Sequence, residues 1–151
     1  MLAENGLDPE ALELEITENS LMTNGVGAHD VLARLRAMGV SLSIDDFGTG
    51  YSSLSRLRDL SIDRVKIDRS FVTNMSTRQD DAVIVRSIID LARNLGLRVV
   101  AEGVETMRTW AALLDMGCDI AQGYVISRPL PAHQFDAWLE TVTPTPLEFA
   151  R

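Results

Sequence analysis

The sequence predicts an α/β fold made of about five successive βα units whose strands run parallel. Short apolar runs recur along the chain, stretches with helical spacing separate them, and glycines stand where several of these helices would end. A strand, a helix and a further strand in sequence favour parallel pairing through right-handed crossovers. The expected architecture is therefore part of a TIM-like (β/α) barrel.

The predicted strands are short runs, several of them rich in valine and isoleucine. They cover Leu12–Thr17, Ser41–Asp45, Arg64–Asp68, Arg98–Ala101 and Ile120–Val125. Runs of this length and composition are typical of buried strands, and they are too short to be helices.

The clearest helical pattern covers Asp80–Leu95, between the third and fourth predicted strands. Its predicted core face consists of Val83, Ile84, Ser87, Ile88, Leu91 and Leu95, with Arg86, Asp90 and Arg93 turned away. Gly39, Gly96 and Gly117 are each predicted to end a helix, because glycine readily adopts the left-handed conformation common at helix C-termini.

Polar side chains stand at the predicted carboxyl ends of the five strands. In strand order they are Glu15, Asp45 and Asp46, Lys66 and Asp68, Glu102, and Gln122. Parallel strands bring these ends to one rim, which is where active sites form in barrels of βα units. The alternative is that these polar residues cap the following helices, as Asp46 or Ser52 could. Capping does not explain a lysine and a glutamine at the same level, so we predict a functional site.

The adjacent carboxylates in SIDDFGTGYSS (43–53) present an electrostatic problem, because Asp45 and Asp46 repel each other. A divalent cation would offset this repulsion. Mg²⁺ and Mn²⁺ prefer oxygen ligands, and Glu15 and Glu102 are expected on the same rim.

Composition and charge restrict the classes of partner. The chain has 151 residues, of which 46% are hydrophobic and 24% charged, and this composition suits one compact domain. Its net charge of −8 disfavours DNA and anionic membranes as partners. No apolar run approaches about 20 residues and no export signal is visible. With Cys118 as the only cysteine, predicted to be buried, a cytoplasmic location is expected.

The number of units points to a partial barrel. A complete eight-unit barrel takes about 250 residues. This chain accommodates about five units, so strand edges would remain open, and open edges favour self-association.

Five motifs resemble, in the same order, the later motifs of EAL domains, bacterial phosphodiesterases that hydrolyse cyclic di-GMP. They are LEITEN (14–19), DDFGTGYSSL (45–54), KIDRSFV (66–72), AEGVET (101–106) and QGYVISRPLP (122–131). The similarity extends from about Leu12 to Leu139. It implies that the chain corresponds to the C-terminal five units of an eight-unit EAL barrel. We therefore expect a truncated EAL domain over residues 1–142 and a C-terminal tail over 143–151.

The resemblance also implies that part of the family's site is missing. The Glu-Ala-Leu triplet that names the family lies on an early strand, and a metal-binding asparagine lies on the next. Glu10-Ala11-Leu12 has the same letters but directly precedes the LEITEN strand, so we interpret it as a coincidence.

By resemblance, the rim residues have roles in a two-metal hydrolase. Glu15, Asp45 and Asp46 would bind Mg²⁺ or Mn²⁺, with Asp45 bridging two ions. Lys66 would hold the attacking water and balance the phosphate, although a structural salt bridge is the alternative. Glu102 would ligate the second metal or accept a proton from the water, and both roles remain open. The expected reaction opens one 3′-O–P linkage of cyclic di-GMP and yields linear pGpG.

Further residues are implied to support this site. Glu18 would steady a loop that couples dimerisation to the metal site. The loop consists of Phe47, Gly48, Thr49, Gly50, Tyr51, Ser52 and Ser53. Asp68, Glu105 and Gln122 would contact the substrate or the groups that bind it. The Ser127–Leu130 turn borders a guanine pocket or simply begins a helix.

Different functions remain open from the sequence. The first is metal-dependent hydrolysis of cyclic di-GMP, since the family motif residues expected in this segment are present. The second is a module that binds cyclic di-GMP or another protein, with a homodimer as the expected assembly. The absent glutamate and asparagine ligands would then prevent turnover, because two-metal sites depend on every ligand. An inactive fragment of a longer signalling protein is a third possibility.

Overall fold

A computed structural model of the chain describes residues 2–18, 20, 28–50, 57–58 and 60–141. Over these residues, five strands form one parallel sheet in the order β1-β2-β3-β4-β5. The strands are β1 (Glu13–Thr17), β2 (Ser41–Phe47), β3 (Arg64–Ile67), β4 (Arg98–Glu102) and β5 (Ile120–Gln122). Each strand lies beside its predecessor in sequence, so the predicted parallel α/β fold is confirmed.

Helices connect the strands and follow the last of them. They are α1 (Ala28–Ala37), α2 (Arg69–Asn74), α3 (Gln79–Asn94), α4 (Met107–Met116) and α5 (Ala132–Thr141), preceded by short 3-10 turns at Ala3–Asn5 and Pro9–Ala11. Within the described ranges, none of the helices is long and apolar enough to cross a membrane. The predicted tail, residues 143–151, lies outside the described residues.

The predicted helix ends at glycines are confirmed. Gly39, Gly96 and Gly117 have φ angles of 89°, 73° and 77°. Gly117 caps α4, and its N–H donates to the carbonyl groups of Leu113 and Leu114. An alanine here would have to adopt a left-handed conformation that its Cβ disfavours.

The core lies between the outer face of the sheet and the helices. Ile44 on β2 pairs with Val65 on β3, which pairs with Val99 on β4. Ile44, Val65 and Val99 are 2%, 1% and 1% exposed. Burial of each such side chain contributes about 1.5–3 kcal/mol to stability. Cys118, 4% exposed, belongs to this core as predicted.

The inner face of the sheet is polar on β1 to β3, since side chains alternate along each strand and the polar residues of these strands share one face. Glu13 and Glu15 on β1 share this face with Arg64 and Lys66 on β3. Arg64 forms an ion pair with Glu13 across the intervening strand. Ser43, on β2 between them, is fully buried. The fold thus separates an apolar outer layer, which stabilises it, from a charged inner face.

The predicted core face of the helix between β3 and β4 is only partly correct. Ile88 is buried, Leu91 and Leu95 pack against the core, and the three charged residues predicted to turn away are exposed. Val83 is 57% exposed and Ile84 is 36% exposed, although both were predicted to face the core. The buried residues of α3 are Asp81, Val85, Ile88, Ile89 and Ala92. The helix has apolar residues on more than one side, so its periodicity alone does not select a face. Contact with α2, β3 and β4 selects the face that carries Val85, Ile88 and Ala92.

Aspartates just before β3 and β5 secure the starts of the neighbouring strands. Asp63 Oδ2 accepts a hydrogen bond from the backbone N–H of Leu42 at 2.9 Å. Asp119 Oδ2 accepts one from the N–H of Val99 at 2.8 Å. Both carboxylates stand one residue before a strand and bind the second residue of the preceding strand. Such charge-assisted hydrogen bonds are stronger than neutral ones, so they help to fix the strand register.

Replacement of Asp119 by alanine should lower the free energy of unfolding by about 1–3 kcal/mol, because the N–H of Val99 would stay buried without an acceptor. Urea denaturation followed by circular dichroism measures the change. The control is Asp90→Ala, which removes an exposed aspartate on α3 and should cost less than about 0.5 kcal/mol. Equal losses in the two variants would contradict this role of Asp119.

Candidate active site

Carboxylates from three strands surround the ammonium group of Lys66 at the carboxyl rim of the sheet. Its Nζ lies 2.5 Å from Oε1 of Glu15 on β1 and 2.6 Å from Oε1 of Glu102 on β4. Oδ1 of Asp45 on β2 lies 3.3 Å away. The side chain of Lys66 is only 6% exposed. The structure therefore brings together four of the residues that the sequence analysis assigned to the site, with an excess of negative charge around one cation.

The surroundings of Lys66 keep it charged. Burial by itself would lower the pKa of Lys66, because desolvation disfavours the charged amine. Hydrogen bonds to Glu102 and Glu15, and the charges of Glu102 and Asp45, outweigh burial and raise the pKa above that of an ordinary lysine. Lys66 is therefore a permanent cation at neutral pH.

A β-bulge explains how two adjacent carboxylates reach the same rim. Ile44 pairs with Val65 and Phe47 pairs with Ile67, so two residues of β2, Asp45 and Asp46, lie opposite the single residue Lys66. Bulges of this kind redirect side chains and are common beside active sites. Asp46 has a φ of 55°, a left-handed conformation that aspartate tolerates better than most residues.

The neighbouring carboxylates affect the ionisation of Asp46, which is an exposed residue. Desolvation raises the pKa of Asp46, the charge of Asp45 raises it further, and Asp68 and Glu15 act in the same direction. Lys66 opposes this shift but does not cancel it. An additional cation near Asp46 would favour its charged form.

The chemistry of the carboxylate cluster suits a divalent metal. Glu15, Asp45, Asp46 and Glu102 offer the oxygen donors that Mg²⁺ and Mn²⁺ prefer. Oδ1 of Asp45 is buried and has no hydrogen-bond partner among the described residues. In the part of the chain that the structure covers, no three His, Cys, Asp or Glu side chains are already spaced as a metal-binding group. The carboxylates are gathered around Lys66 instead.

Glu18 links the end of β1 to the glycine-rich loop. Its side chain is 2% exposed, and Oε2 accepts hydrogen bonds from the N–H groups of Gly48 at 3.1 Å and Gly50 at 3.4 Å. Thr49 Oγ1 donates to the carbonyl of Asp46 at 2.8 Å, which ties the loop to the bulge. Glu18 therefore contacts the loop, whereas the coupling of this loop to dimerisation stays a prediction. Tyr51, Ser52 and Ser53 lie outside the described residues.

Asp68 has a local structural function. It is the N-cap residue of α2, and its Oδ1 accepts hydrogen bonds from the backbone N–H and the hydroxyl of Ser70. The sequence analysis grouped Asp68 with residues that contact substrate or the groups that bind it, and helix capping was its alternative for the polar residues at the strand ends. Asp68 still affects the site through its charge, which raises the pKa of Asp46.

A polar cleft of about 180 Å³ adjoins the cluster. It is lined by Arg69, Glu102, Gly103, Glu105, Gln122, Gly123 and Tyr124. The sequence analysis singled out Glu102, Glu105 and Gln122 but missed Arg69 and Tyr124. Arg69 is the second residue after β3 ends, at the same rim as Lys66, and this position in the sequence was the available signal.

A second cleft of about 290 Å³ shares Gln122 and Tyr124 and extends over the Ser127–Leu130 turn to Phe135 and Trp138 on α5. The guanidinium of Arg128 lies 4.6 Å from the centre of the Tyr124 ring. The turn therefore both borders a cleft and leads into a helix.

Gly123 holds the loop after β5 against the loop after β4. A Cβ at Gly123 would lie 2.3 Å from the carbonyl oxygen of Val104 and 2.4 Å from its nitrogen. The N–H of Val104 donates to the carbonyl of Gln122, and the N–H of Val125 donates to that of Val104, both at 3.0 Å. This close approach aligns the loops that carry Glu105 and Tyr124. A single sequence gives no signal for it.

Comparison with known proteins agrees with these observations. The model of the EAL domain family matches residues 1–129. A protein of Pseudomonas aeruginosa, the cyclic di-GMP phosphodiesterase NbdA, is 50% identical over 145 residues, which cover 90% of this chain and 18% of NbdA. The chain thus spans less than a fifth of this curated relative.

Solved structures are similar in fold as well as in sequence. The PaMucR phosphodiesterase in complex with c-di-GMP is 46% identical, with a TM-score of 0.85 over 89% of this chain and 54% of that one. Klebsiella pneumoniae BlrP1, in a complex with manganese and cyclic di-GMP, is 39% identical, with a TM-score of 0.78 over 85% of this chain and 33% of that one. The resemblance carried by the five motifs is therefore confirmed, and the chain belongs to the EAL domain family.

Proposed function

We propose that this chain provides the C-terminal part of an active site that hydrolyses cyclic di-GMP with divalent metal ions. The observation that carries the proposal is the convergence of Glu15, Asp45 and Glu102 on Lys66 at the carboxyl rim. Relatives named for cyclic di-GMP hydrolysis support the choice of substrate.

The proposed metal ligands are Glu15, Asp45, Asp46 and Glu102, with Mg²⁺ or Mn²⁺ as the cation. When bound, such ions supply a nucleophilic water at neutral pH and neutralise negative charge on the phosphate. The bulge contributes by presenting both aspartates to one side of the sheet. Of the two aspartates, Asp45 forms the ion pair with Lys66.

Lys66 and Glu102 are the proposed catalytic residues. The permanent positive charge of Lys66 would orient the attacking water and a phosphate oxygen, which positions the reactants and stabilises developing charge. Glu102 would accept the proton that the water loses as its oxygen bonds to phosphorus. The 3′-oxygen leaves with a proton from solvent, and the product is linear pGpG.

The remaining residues position this machinery. Glu18 would hold the loop that begins at Phe47, and Glu105 and Gln122 would contact the substrate from the polar cleft. Asp68 would act by capping α2 and through its charge. We further propose that the domain extends over residues 1–142 with a tail over 143–151, and that the chain functions in the cytoplasm.

Self-association is part of the proposal. Within the described sheet, β1 and β5 each pair with one strand only, so each leaves one edge open. Open edges can pair with another chain, and a homodimer would cover them.

Purified chain incubated with cyclic di-GMP and Mn²⁺ should form pGpG only slowly, because it holds part of the proposed ligand set. Lys66→Ala should lower this rate by at least about 100-fold, because it removes the cation that three carboxylates contact in the described part of the chain. Chromatography of the nucleotides measures the product. The control is Arg98→Ala, at the opposite end of the inner face, which should retain the wild-type rate. Binding of cyclic di-GMP without product would favour a binding module. If the chain neither binds the nucleotide nor forms product, the proposal is contradicted.

Replacement of Glu18 by glutamine should slow pGpG formation about tenfold or more and should lower the melting temperature. The neutral amide is a weaker acceptor for the N–H groups of Gly48 and Gly50, so the loop would be less well ordered. Initial rates and thermal melts measure both effects. Glu10→Gln, at an exposed position, is the control. An unchanged rate would show that the loop does not depend on Glu18.

A further inference from the structure

We propose that Lys66 is an internal cation that holds the rim carboxylates in the metal-free protein, so that Lys66 and a divalent metal compete for the same oxygens. The inference rests on the proposed function, because it takes Glu15, Asp45 and Glu102 as metal ligands. It assigns to Lys66 a positioning task in addition to its task in hydrolysis.

Lys66 contacts three carboxylates, two through hydrogen bonds and one through charge alone. Its Nζ lies 2.5 and 2.6 Å from oxygens of Glu15 and Glu102, to which it donates hydrogen bonds. Oδ1 of Asp45 lies 3.3 Å from Nζ and accepts no hydrogen bond from the described residues. Glu15, Asp45 and Glu102 come from three different strands, and like charges so close together would separate without a cation between them. Lys66 is therefore what gathers them.

Burial makes these contacts costly to lose. The Lys66 side chain is 6% exposed, and a buried ammonium without acceptors is strongly unfavourable. The three carboxylates differ in exposure to solvent. The side chain of Glu15 is 51% exposed, whereas those of Asp45 and Glu102 are 24% and 21% exposed. A metal that engages these oxygens must therefore displace Lys66 from at least part of its present shell.

Competition between Lys66 and the metal predicts the direction in which each changes the binding of the other. Two cations at one cluster repel each other, so removal of the lysine charge raises the affinity for the metal. The same removal leaves the carboxylates unneutralised when no metal is bound, and it lowers the stability of the metal-free protein. Because coupling is reciprocal, the metal must weaken the contacts of Lys66 as much as Lys66 weakens the metal.

Arg64 provides a matched comparison. It lies two residues before Lys66 on β3, it faces the same side of the sheet, and it forms its own ion pair with Glu13. Arg64→Met therefore removes a similar charge from the same face without touching Glu15, Asp45 or Glu102.

The first experiment titrates Mn²⁺ into chelator-treated protein by calorimetry, without nucleotide, and records melting temperatures with and without Mn²⁺. Lys66→Met should bind Mn²⁺ about tenfold or more tightly than the wild type. Its melting temperature without metal should be lower than that of the wild type, and Mn²⁺ should raise this temperature by a larger amount. Arg64→Met should melt lower but bind Mn²⁺ as the wild type does.

The second experiment needs no variant at Lys66, which is the only lysine in the sequence. Protein labelled with ¹³C-lysine therefore gives one Cε signal in nuclear magnetic resonance spectra. Added Mg²⁺ should shift this signal, and the shift should saturate at the concentration at which calorimetry shows Mg²⁺ binding.

The outcomes separate the inference from the proposed function. If the wild type binds metal but Lys66→Met binds it no more tightly, or the Cε signal does not move at saturating Mg²⁺, competition is refuted and the metal site stands. If neither protein binds Mn²⁺ or Mg²⁺, the metal site itself is refuted, and the inference with it. Binding by Lys66→Met alone would support competition in its strongest form.

Discussion

The attraction between one ammonium and three carboxylates is the interaction on which the candidate site depends. Lys66 stands on β3, and its partners Glu15, Asp45 and Glu102 stand on β1, β2 and β4. The cluster therefore joins four of the five described strands at their carboxyl ends. Since the three residues that pair with this lysine are all carboxylates, its charge offsets the repulsion between them.

Burial of the opposite face of the sheet supplies stability that offsets the cost of the charged rim. Ile44, Val65 and Val99 are almost completely buried under the helices, and Asp63 and Asp119 secure the strand starts at the far end. Stability thus resides in the outer layer and the amino ends of the strands. Function is concentrated at the carboxyl ends, in keeping with the division found in barrels of βα units.

The sequence was sufficient for the strand order, the glycine-terminated helices and the set of polar residues at the strand ends, because each of these follows from local pattern and parallel pairing. It was insufficient for the buried face of α3, where apolar residues on several sides left the choice to tertiary contact. It also did not reveal that Asp68 caps α2 or that Gly123 lies against Val104. The bulge at Asp45 and Asp46 was hidden for a similar reason, since register depends on the neighbouring strand.

The extra residue in β2 also determines what a one-residue deletion there would do. Loss of either aspartate codon would restore ordinary alternation opposite Lys66. The remaining acid would still face the rim, the apolar positions of β2 would keep their partners, and the sheet would be straighter. A relative with this deletion would keep the fold but would lack one carboxylate at the rim. The fold alone therefore does not show that a member of the family has a complete site.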